Sequence, residues 1–458
     1  MIPFGLLGGF CDHLEIRITG LSEKGFSFRV PEKIEKAACL DICFFDFSAD
    51  CYRKVQLAEK EREMKLTEET PFFFIYSVWT KNGEYREQVK RLVTDYDNYI
   101  SLKLAGDDAY LSEKMVGYPA ELDEVYAESF EEQKKEWFSC VGDGIQECRN
   151  TWEHKKWNIT DLPEFELAIT IDRPELYYDF LQKDWTRFCH DYWKNNFLEH
   201  HTLSKKRVTR IYIGNQFCHN LFPRKELLFQ VLEKALENNL AVTLAFSYIR
   251  NHLLEEIDEL LQELEVWCQS REKEAGKDQE EIIVNDWAMP ILLQGKPHLK
   301  PVLGVLLNKR RKDVRLPCKH GIGNHVDSLA ENNLNCGFYQ DYLKNTFDIQ
   351  RFEFESCGYK VTIPDGHHSL HLPFFQTNTS QYCTLYAVCR YGDREKQKLP
   401  ENCPKYCEQK VFLYPKHLKM VGRYNSLFGY DEKILWDEKQ LQDYLEQGID
   451  RIVVNVSL

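Results

Sequence analysis

The chain has 458 residues, 43% of them hydrophobic and 29% charged, with a net charge of −14 at pH 7. That balance excludes a disordered polar chain, and the acidic surplus argues against a duplex nucleic-acid binder, which needs Lys and Arg to displace counterions from phosphates. No stretch approaches the ~20 apolar residues of a membrane helix. The segment Met1–Gly9 lacks a basic start and is short for a signal peptide, so the expected compartment is the cytoplasm.

From about residue 10 to 105 the pattern is β-rich. Leu14–Ile18, Phe26–Val30, Cys39–Phe47, Phe72–Trp79 and Tyr99–Leu104 cluster or alternate apolar residues, with a turn signal at Lys81-Asn82-Gly83 and a helical connector over Glu84–Val93. Short strands at this spacing predict a small antiparallel β-barrel domain over residues 1–106. Residues 107–164 are acidic and aromatic, with helical periodicity over Glu121–Phe138 and tryptophans at 137, 152 and 157, and read as a helical linker.

From Phe165 the rhythm changes. Strands are expected at Phe165–Ile171, Val208–Gly214, Ala241–Phe246, Glu281–Val284, Val302–Leu306 and Arg451–Val456, with helices at Pro174–Asn195, Lys225–Asn238 and His252–Ser270. Such alternation implies parallel βαβ units. Residues 165–458 therefore predict an α/β fold of (β/α) TIM-like barrel type, with a doubly wound sheet as the alternative. Ser270–Gln279 reads as a charged surface loop, and Lys309-Arg310-Arg311-Lys312 as a local basic groove. The aromatics of Tyr177–Phe197 read as core packing, ahead of a stacking platform for RNA or a small-ring substrate.

Sixteen cysteines are many for a cytosolic chain, where clustered thiols more often bind metal than pair as disulfides. Cys140, Cys189, Cys268 and Cys336 are isolated, and Cys39 and Cys43 lie in an apolar run. The strong signal is Cys383-x5-Cys389-x13-Cys403-x3-Cys407. Four thiolates complete an iron–sulfur or a zinc site. Zinc ribbons use two tight Cys-x2-Cys knuckles, which are missing here, so the spacing favours a cluster, with zinc as the alternative. Gly366-His367-His368-x2-His371 follows a turn signal and reads as a solvated loop beside the cysteines. No His-Glu-x2-His, Gly-x-Ser-x-Gly or Gly-x4-Gly-Lys motif occurs.

A run of short motifs carries a family resemblance over residues 165–458. They are Ile211-Tyr212-Ile213-Gly214-Asn215-Gln216-Phe217-Cys218, Ile283-Val284-Asn285-Asp286-Trp287, Gly304-x3-Asn308, His371-Leu372-Pro373, the cysteine segment, Val411-Phe412-Leu413, Tyr424-Asn425 and Gly448-Ile449-Asp450-Arg451. In this order they resemble the collagenase-like peptidase family of unassigned mechanism (peptidase family U thirty-two), nearest its UbiV-like branch. The resemblance implies a four-iron four-sulfur cluster, with Cys389, Cys403 and Cys407 as ligands and the fourth position open between Cys383 and Cys218. It further implies an accessory or redox subunit, of oxidoreductase type, in an oxygen-independent hydroxylation or modification, working with a second protein of the same family. A peptidase acting on collagen-like or unfolded peptides is the second expectation, and a non-enzymatic signalling adaptor the third. Where relatives show Pro-x-Glu-Leu-Ser, this chain has Leu316-Pro317-Cys318-Lys319-His320, without the acidic residue.

The run Ile18–Phe28 resembles the strand-turn-strand of PilZ domains. Gly20 stands where an Asp or Asn is expected, and only Arg17 precedes the turn. Guanine and phosphate recognition needs paired guanidiniums, so a docking role is favoured over cyclic di-GMP binding.

Overall fold

The computed structural model describes residues 6–12, 14–34, 37–46, 51–105, 125–127, 134–135, 137–138, 162–275, 280–310, 312, 330–393, 395–396, 398–400, 402–413, 419–431, 433–435 and 437–457. Two compact units divide the chain, with the break after Glu124.

In the first unit, seven strands form one curled antiparallel sheet: β1 (Leu7–Cys11), β2 (Leu14–Ser22), β3 (Gly25–Val30), β4 (Cys39–Asp46), β5 (Cys51–Ala58), β6 (Arg62–Glu69) and β7 (Phe74–Thr80). Their order is β5-β4-β1-β2-β3-β7-β6, so β5 and β6 are the edges and the sheet is not the closed barrel that was expected. Gly25 turns β2 into β3 at φ 154°, where a Cβ would sit 1.9 Å from the Val78 carbonyl oxygen. One helix, α1 (Gly83–Ala105), packs its buried Tyr85, Val89 and Leu92 into the sheet's core. Those residues recur at i, i+4 and i+7. Tyr96 continues the same face, which is why the expected connector helix runs on through Tyr99–Leu104 in place of a strand. The edge strands β5 and β6 escaped the sequence pattern because their exposed faces are charged (Arg53, Lys54, Glu63, Lys65, Glu68).

In the second unit, after a short strand β8 (Val125–Ala127), come β9 (Glu166–Ile171), β10 (Arg210–Gly214), β11 (Ala241–Ala245), β12 (Glu280–Val284), β13 (Leu299–Leu303), β14 (Glu353–Glu355) and β15 (His368–Leu372). With the last strand of the chain, β20 (Ile449–Val454), they form an eight-stranded parallel sheet in the order β13-β12-β11-β10-β9-β20-β15-β14. The ends meet: Leu303 bridges Phe352 in parallel, and its N–H donates to the Arg351 carbonyl at 3.0 Å. The result is a nearly closed barrel of TIM-like form. Ala168, Tyr212, Ala245, Ile283, Val302 and Val453 fill its inside. Alternate residues such as Leu167, Ile169, Ile211, Ile213 and Leu244 belong to the outer core. Burial on both faces is what makes these strands read as continuous apolar runs.

The expected single aromatic helix is two, α2 (Pro174–Gln182) and α3 (Trp185–Asn195). Asp184 breaks them and caps the second, accepting from the Arg187 N–H at 2.9 Å. Tyr177, Phe180, Phe188, Tyr192 and Trp193 are buried, so the aromatics are core packing. Further helices are α4 (Lys225–Glu237), α5 (Leu254–Ala275), the short α6 (Met289–Leu292) and α7 (Gly337–Phe347). Helix α5 extends into the expected surface loop. In the basic segment the side chains of Arg310 and Lys312 are buried against Glu355, which pairs with Lys312 at 2.5 Å and Arg310 at 3.9 Å, while Arg311 lies outside the described residues.

Between β15 and β20 the chain makes an excursion. It forms β16 (Phe374–Thr379), helix α8 (Thr384–Tyr391), β17 (Val411–Leu413), β18 (Met420–Arg423), β19 (Ser426–Tyr430) and helix α9 (Glu438–Glu446). The strands build an antiparallel sheet in the order β16-β19-β18-β17-β8. Part of the expected linker thus belongs to this unit. Buried Lys134 donates to Asn196 Oδ1 at 2.8 Å, and Trp137 stacks on Tyr430 at 5.2 Å. Trp152 and Trp157 lie outside the described residues. No helix among the described residues is long and apolar enough to cross a membrane.

A girdle of charge ties the barrel's inner face together. Arg451 donates to Glu166 at 2.7 Å and to both oxygens of Glu281 at 2.6 and 3.0 Å, and Arg210 bonds the same two carboxylates at 3.0 and 3.2 Å. Burial would raise Glu281, but Arg210 and Arg451 outweigh it and hold its carboxyl at about 2. Replacing Arg451 by Met leaves buried carboxylate uncompensated, so the unfolding free energy in urea should fall by about 3–5 kcal/mol. A second expectation concerns acid. Buried His201 donates from Nε2 to the Leu435 carbonyl at 2.7 Å and accepts the Leu203 N–H on Nδ1 at 3.2 Å, and burial depresses it to about 4. A depressed histidine binds fewer protons folded than unfolded, so stability is lost as pH falls from the ordinary 6.5 through about 4. His201→Gln should flatten that slope in unfolding curves recorded across this range, by up to roughly 3 kcal/mol.

Candidate metal centre at the barrel mouth

Three chain segments bring thiols together beyond the carboxyl ends of the barrel strands. The first leaves β10 at Gly214 (φ 107°), where a Cβ would meet the Ala245 carbonyl oxygen at 2.6 Å and the Phe222 ring at 2.7 Å. Asn215 then folds the loop back: its Oδ1 accepts the N–H groups of Phe217 and Cys218, both at 2.9 Å. That turn aims Cys218. The second is the start of α8, which Cys383 caps by accepting the Tyr386 N–H on sulfur at 3.3 Å while its thiol donates to the Tyr424 carbonyl at 2.9 Å. The third is the loop from Cys403 to Cys407. Left-handed Lys405 (φ 54°) and a 3-10 turn at Tyr406–Glu408 reverse it, and Arg423 Nε donates to the Cys407 carbonyl at 2.9 Å. The pair Cys403 and Cys407 is therefore set by a turn and not by one pitch of an α-helix.

Side chains from other loops fix these segments to one another. Asn425 donates to the Ser380 carbonyl at 2.6 Å and to the Tyr248 hydroxyl at 3.1 Å. Arg250 donates to that hydroxyl at 3.0 Å and to the Gln381 carbonyl. The strand leading into Cys383 is thus held from the β11 loop and from the β18–β19 turn.

Cys218, Cys383, Cys403 and Cys407 are electrostatic neighbours. Burial pushes the Cys218 thiol up to about 11 and Cys383 up to about 12, raises Cys403, and drives Cys407 well above its ordinary value. Neighbouring thiols add to the rise at Cys218, Cys383 and Cys407, while Arg250, Lys405 and Arg423 pull Cys218, Cys403 and Cys407 the other way. Among the described residues no three His, Cys, Asp or Glu side chains converge tightly enough to hold a single metal ion. The four thiols are grouped, but more loosely than that. A donor set of four thiols from three segments, with three cations around it, fits an anionic iron–sulfur cluster, whose sulfurs and charge such neighbours would balance.

Cys218 and Cys383 both neighbour Cys403 and Cys407. Cys389, on α8, is half-buried and packs against the same core as Cys218 and Cys383. The histidines are also rearranged. The expected loop is strand β15, in which His371 is 2% exposed, while His367 lies on the surface 2.9 Å from Asp450. Cys318 and His320 lie outside the described residues.

Next to the thiol group the barrel opens in a small hollow of about 30 Å³, lined by residues that include Thr170, Asp172, Asn215, Gln216, Phe217 and His371. His371 Nε2 lies 2.5 Å from Glu353 Oε2, and the Tyr212 hydroxyl donates to the same carboxylate at 3.1 Å. Burial would raise Glu353, but the His371 bond and charge and Arg451 outweigh it and hold its carboxyl low. Arg250, Arg423, Tyr248 and Glu353 have no signature in the sequence. The only available signal was the alternation of Phe352 and Phe354 with Glu353 and Glu355.

In metal-free protein the four thiols should alkylate slowly. A rise from 9.0 to about 11, as at Cys218, leaves about a hundredfold less thiolate at neutral pH. Mapping of iodoacetamide adducts by mass spectrometry should find exposed Cys336 modified well before buried Cys407. Comparison with family models, with curated proteins and with solved structures gives no match.

Proposed function

We propose that this chain is an iron–sulfur protein in which Cys218, Cys383, Cys403 and Cys407 hold a four-iron four-sulfur cluster at the mouth of the barrel. The observation that carries the reading is the meeting of four thiols from positions 218 and 383–407, none paired as a disulfide.

Such a cluster supplies one-electron transfer when bound. The chain's own residues would set its environment. The Tyr386 N–H on Cys383 sulfur and the guanidiniums of Arg250 and Arg423 stabilise negative charge there, and burial at Cys407 keeps water from the sulfur. The role we infer is that of a redox or accessory subunit in an oxygen-independent hydroxylation or other modification, together with a second protein chain. A peptidase is less well supported. His371, the imidazole lining the mouth, bonds to Glu353 rather than to a hydroxyl or thiol, which gives no activated nucleophile there.

Anaerobic purification with iron and sulfide analysis tests the reading. The expected protein is brown, absorbs broadly near ~400 nm, and carries about four iron per chain. Serine at 218, 383, 403 or 407 should each abolish most of the iron. A colourless protein after anaerobic reconstitution, or stoichiometric zinc in its place, would refute the redox role.

A further inference from the structure

We propose that Asp172 takes up one proton from water as the cluster at the barrel mouth gains one electron, so that the net charge of the site is unchanged. The inference rests on the iron–sulfur reading above and deepens it. Asp172 directly follows β9 and joins the wall of the small hollow beside the thiol group. Its carbonyl accepts from Asn215 Nδ2 at 3.3 Å, and Asn215 Oδ1 in turn accepts the Cys218 N–H at 2.9 Å. One amide side chain thus separates Asp172 from the loop that carries a thiol.

The two carboxylates of the lining differ in what they bond. Glu355 accepts the Gln376 N–H at 2.7 Å and the Lys312 ammonium at 2.5 Å. Asp172 bonds the Ser457 hydroxyl, but its Oδ1 is buried and has no partner among the described residues. The Tyr424 hydroxyl, an electrostatic neighbour of Asp172, is buried and likewise has none. Tyr424 belongs to the frame of the thiol group, since its carbonyl accepts the Cys383 thiol at 2.9 Å. Buried polar atoms without partners call for an ordered water or, at a carboxylate oxygen, a proton. A hollow of about 30 Å³ has room for roughly one or two waters, enough to deliver that proton.

Charge poises the carboxyl. Burial raises it, while Arg173 and Arg423 pull it down. Tyr177, Tyr192 and Tyr424 face it from neighbouring elements, and burial raises all three phenols, so they stay neutral. His371 lines the same hollow but is bonded to Glu353 at 2.5 Å. Arg423 is the link to the thiols. Its Nε donates to the Cys407 carbonyl at 2.9 Å, and its charge favours the anion at Cys407 as well as at Asp172. Negative charge added among the thiolates draws on the same guanidinium and leaves the Asp172 carboxylate less compensated, so it takes a proton. The electron comes from an external one-electron donor, the proton from water in the hollow, and the bond formed is Oδ1–H of Asp172. Oxidation releases both.

The test uses full-length protein purified anaerobically and poised electrochemically through mediator dyes, its midpoint potential being followed by visible absorption and electron paramagnetic resonance between about pH 5 and 8. The potential should fall as pH rises, approaching about 59 mV per unit where one proton accompanies each electron. Asp172→Asn should flatten that slope. In unaltered protein, reduced-minus-oxidised infrared spectra should gain a protonated carboxyl band that shifts when aspartate is labelled with carbon-13. Should Asp172→Asn load no iron, Asp172→Glu decides, because it should keep the slope and lose the isotope shift. A brown protein whose potential is flat with pH, a slope that survives in Asp172→Asn, or no aspartate band on reduction would overturn this inference and leave the cluster standing. A colourless protein would overturn both.

Discussion

Everything described at the barrel mouth depends on a ring of buried charge at its inner face. Arg451, on the last strand, reaches Glu166 on the first barrel strand and Glu281 on the fourth, and Arg210 on the second meets the same two carboxylates. Ions taken out of water cost several kcal/mol each unless their partners are fixed. This ring therefore specifies strand neighbours more sharply than the apolar residues above it, which could slide. The contact of Arg451 with Tyr212 at 3.1 Å passes the register upward, since Tyr212 holds Glu353 and Glu353 holds His371. One chain of hydrogen bonds thus runs from the charged ring to the hollow.

The thiol group is arranged differently, from loops rather than strands. Cys218 owes its direction to Gly214 and Asn215, whose left-handed turn and capping amide act within five residues. Cys383 owes its direction to helix α8 below it and to Asn425 and Arg250 from distant parts of the sequence. A site assembled from separate loops on a rigid barrel can place ligands that lie 165 positions or more apart, and it brings cations with them. The adjoining hollow shares this construction: Asn215 both aims Cys218 and lines the cavity wall. A change in either site would be felt in the other through that residue.

The strands of the barrel were legible because burial on both faces makes them unbroken apolar runs, as in Ile211-Tyr212-Ile213 and Ile282-Ile283-Val284. The edge strands of the first unit were not, since a charged outer face hides their period of two. Tyr99–Leu104 was misread because its few apolar residues suit a strand locally, and only the face shared with Tyr85, Val89 and Leu92 assigns it to a helix. His371 reads as solvated beside Pro364 and Gly366, yet β15 starts at His368 and carries it inside, where Glu353 waits.

Composition and spacing alone determined an α/β chain with a (β/α) region after Phe165, and a cysteine-rich segment late in the sequence. These follow from local periodicity and from residue type. Which thiols meet was decided by tertiary structure. The loop after β10 swings Cys218 to Cys383, Cys403 and Cys407. The pairing of His371 with Glu353 was likewise fixed only in three dimensions. Sequence records which groups are present, but the depth of each in the barrel, and hence what it must bond to, exists only once the strands have closed.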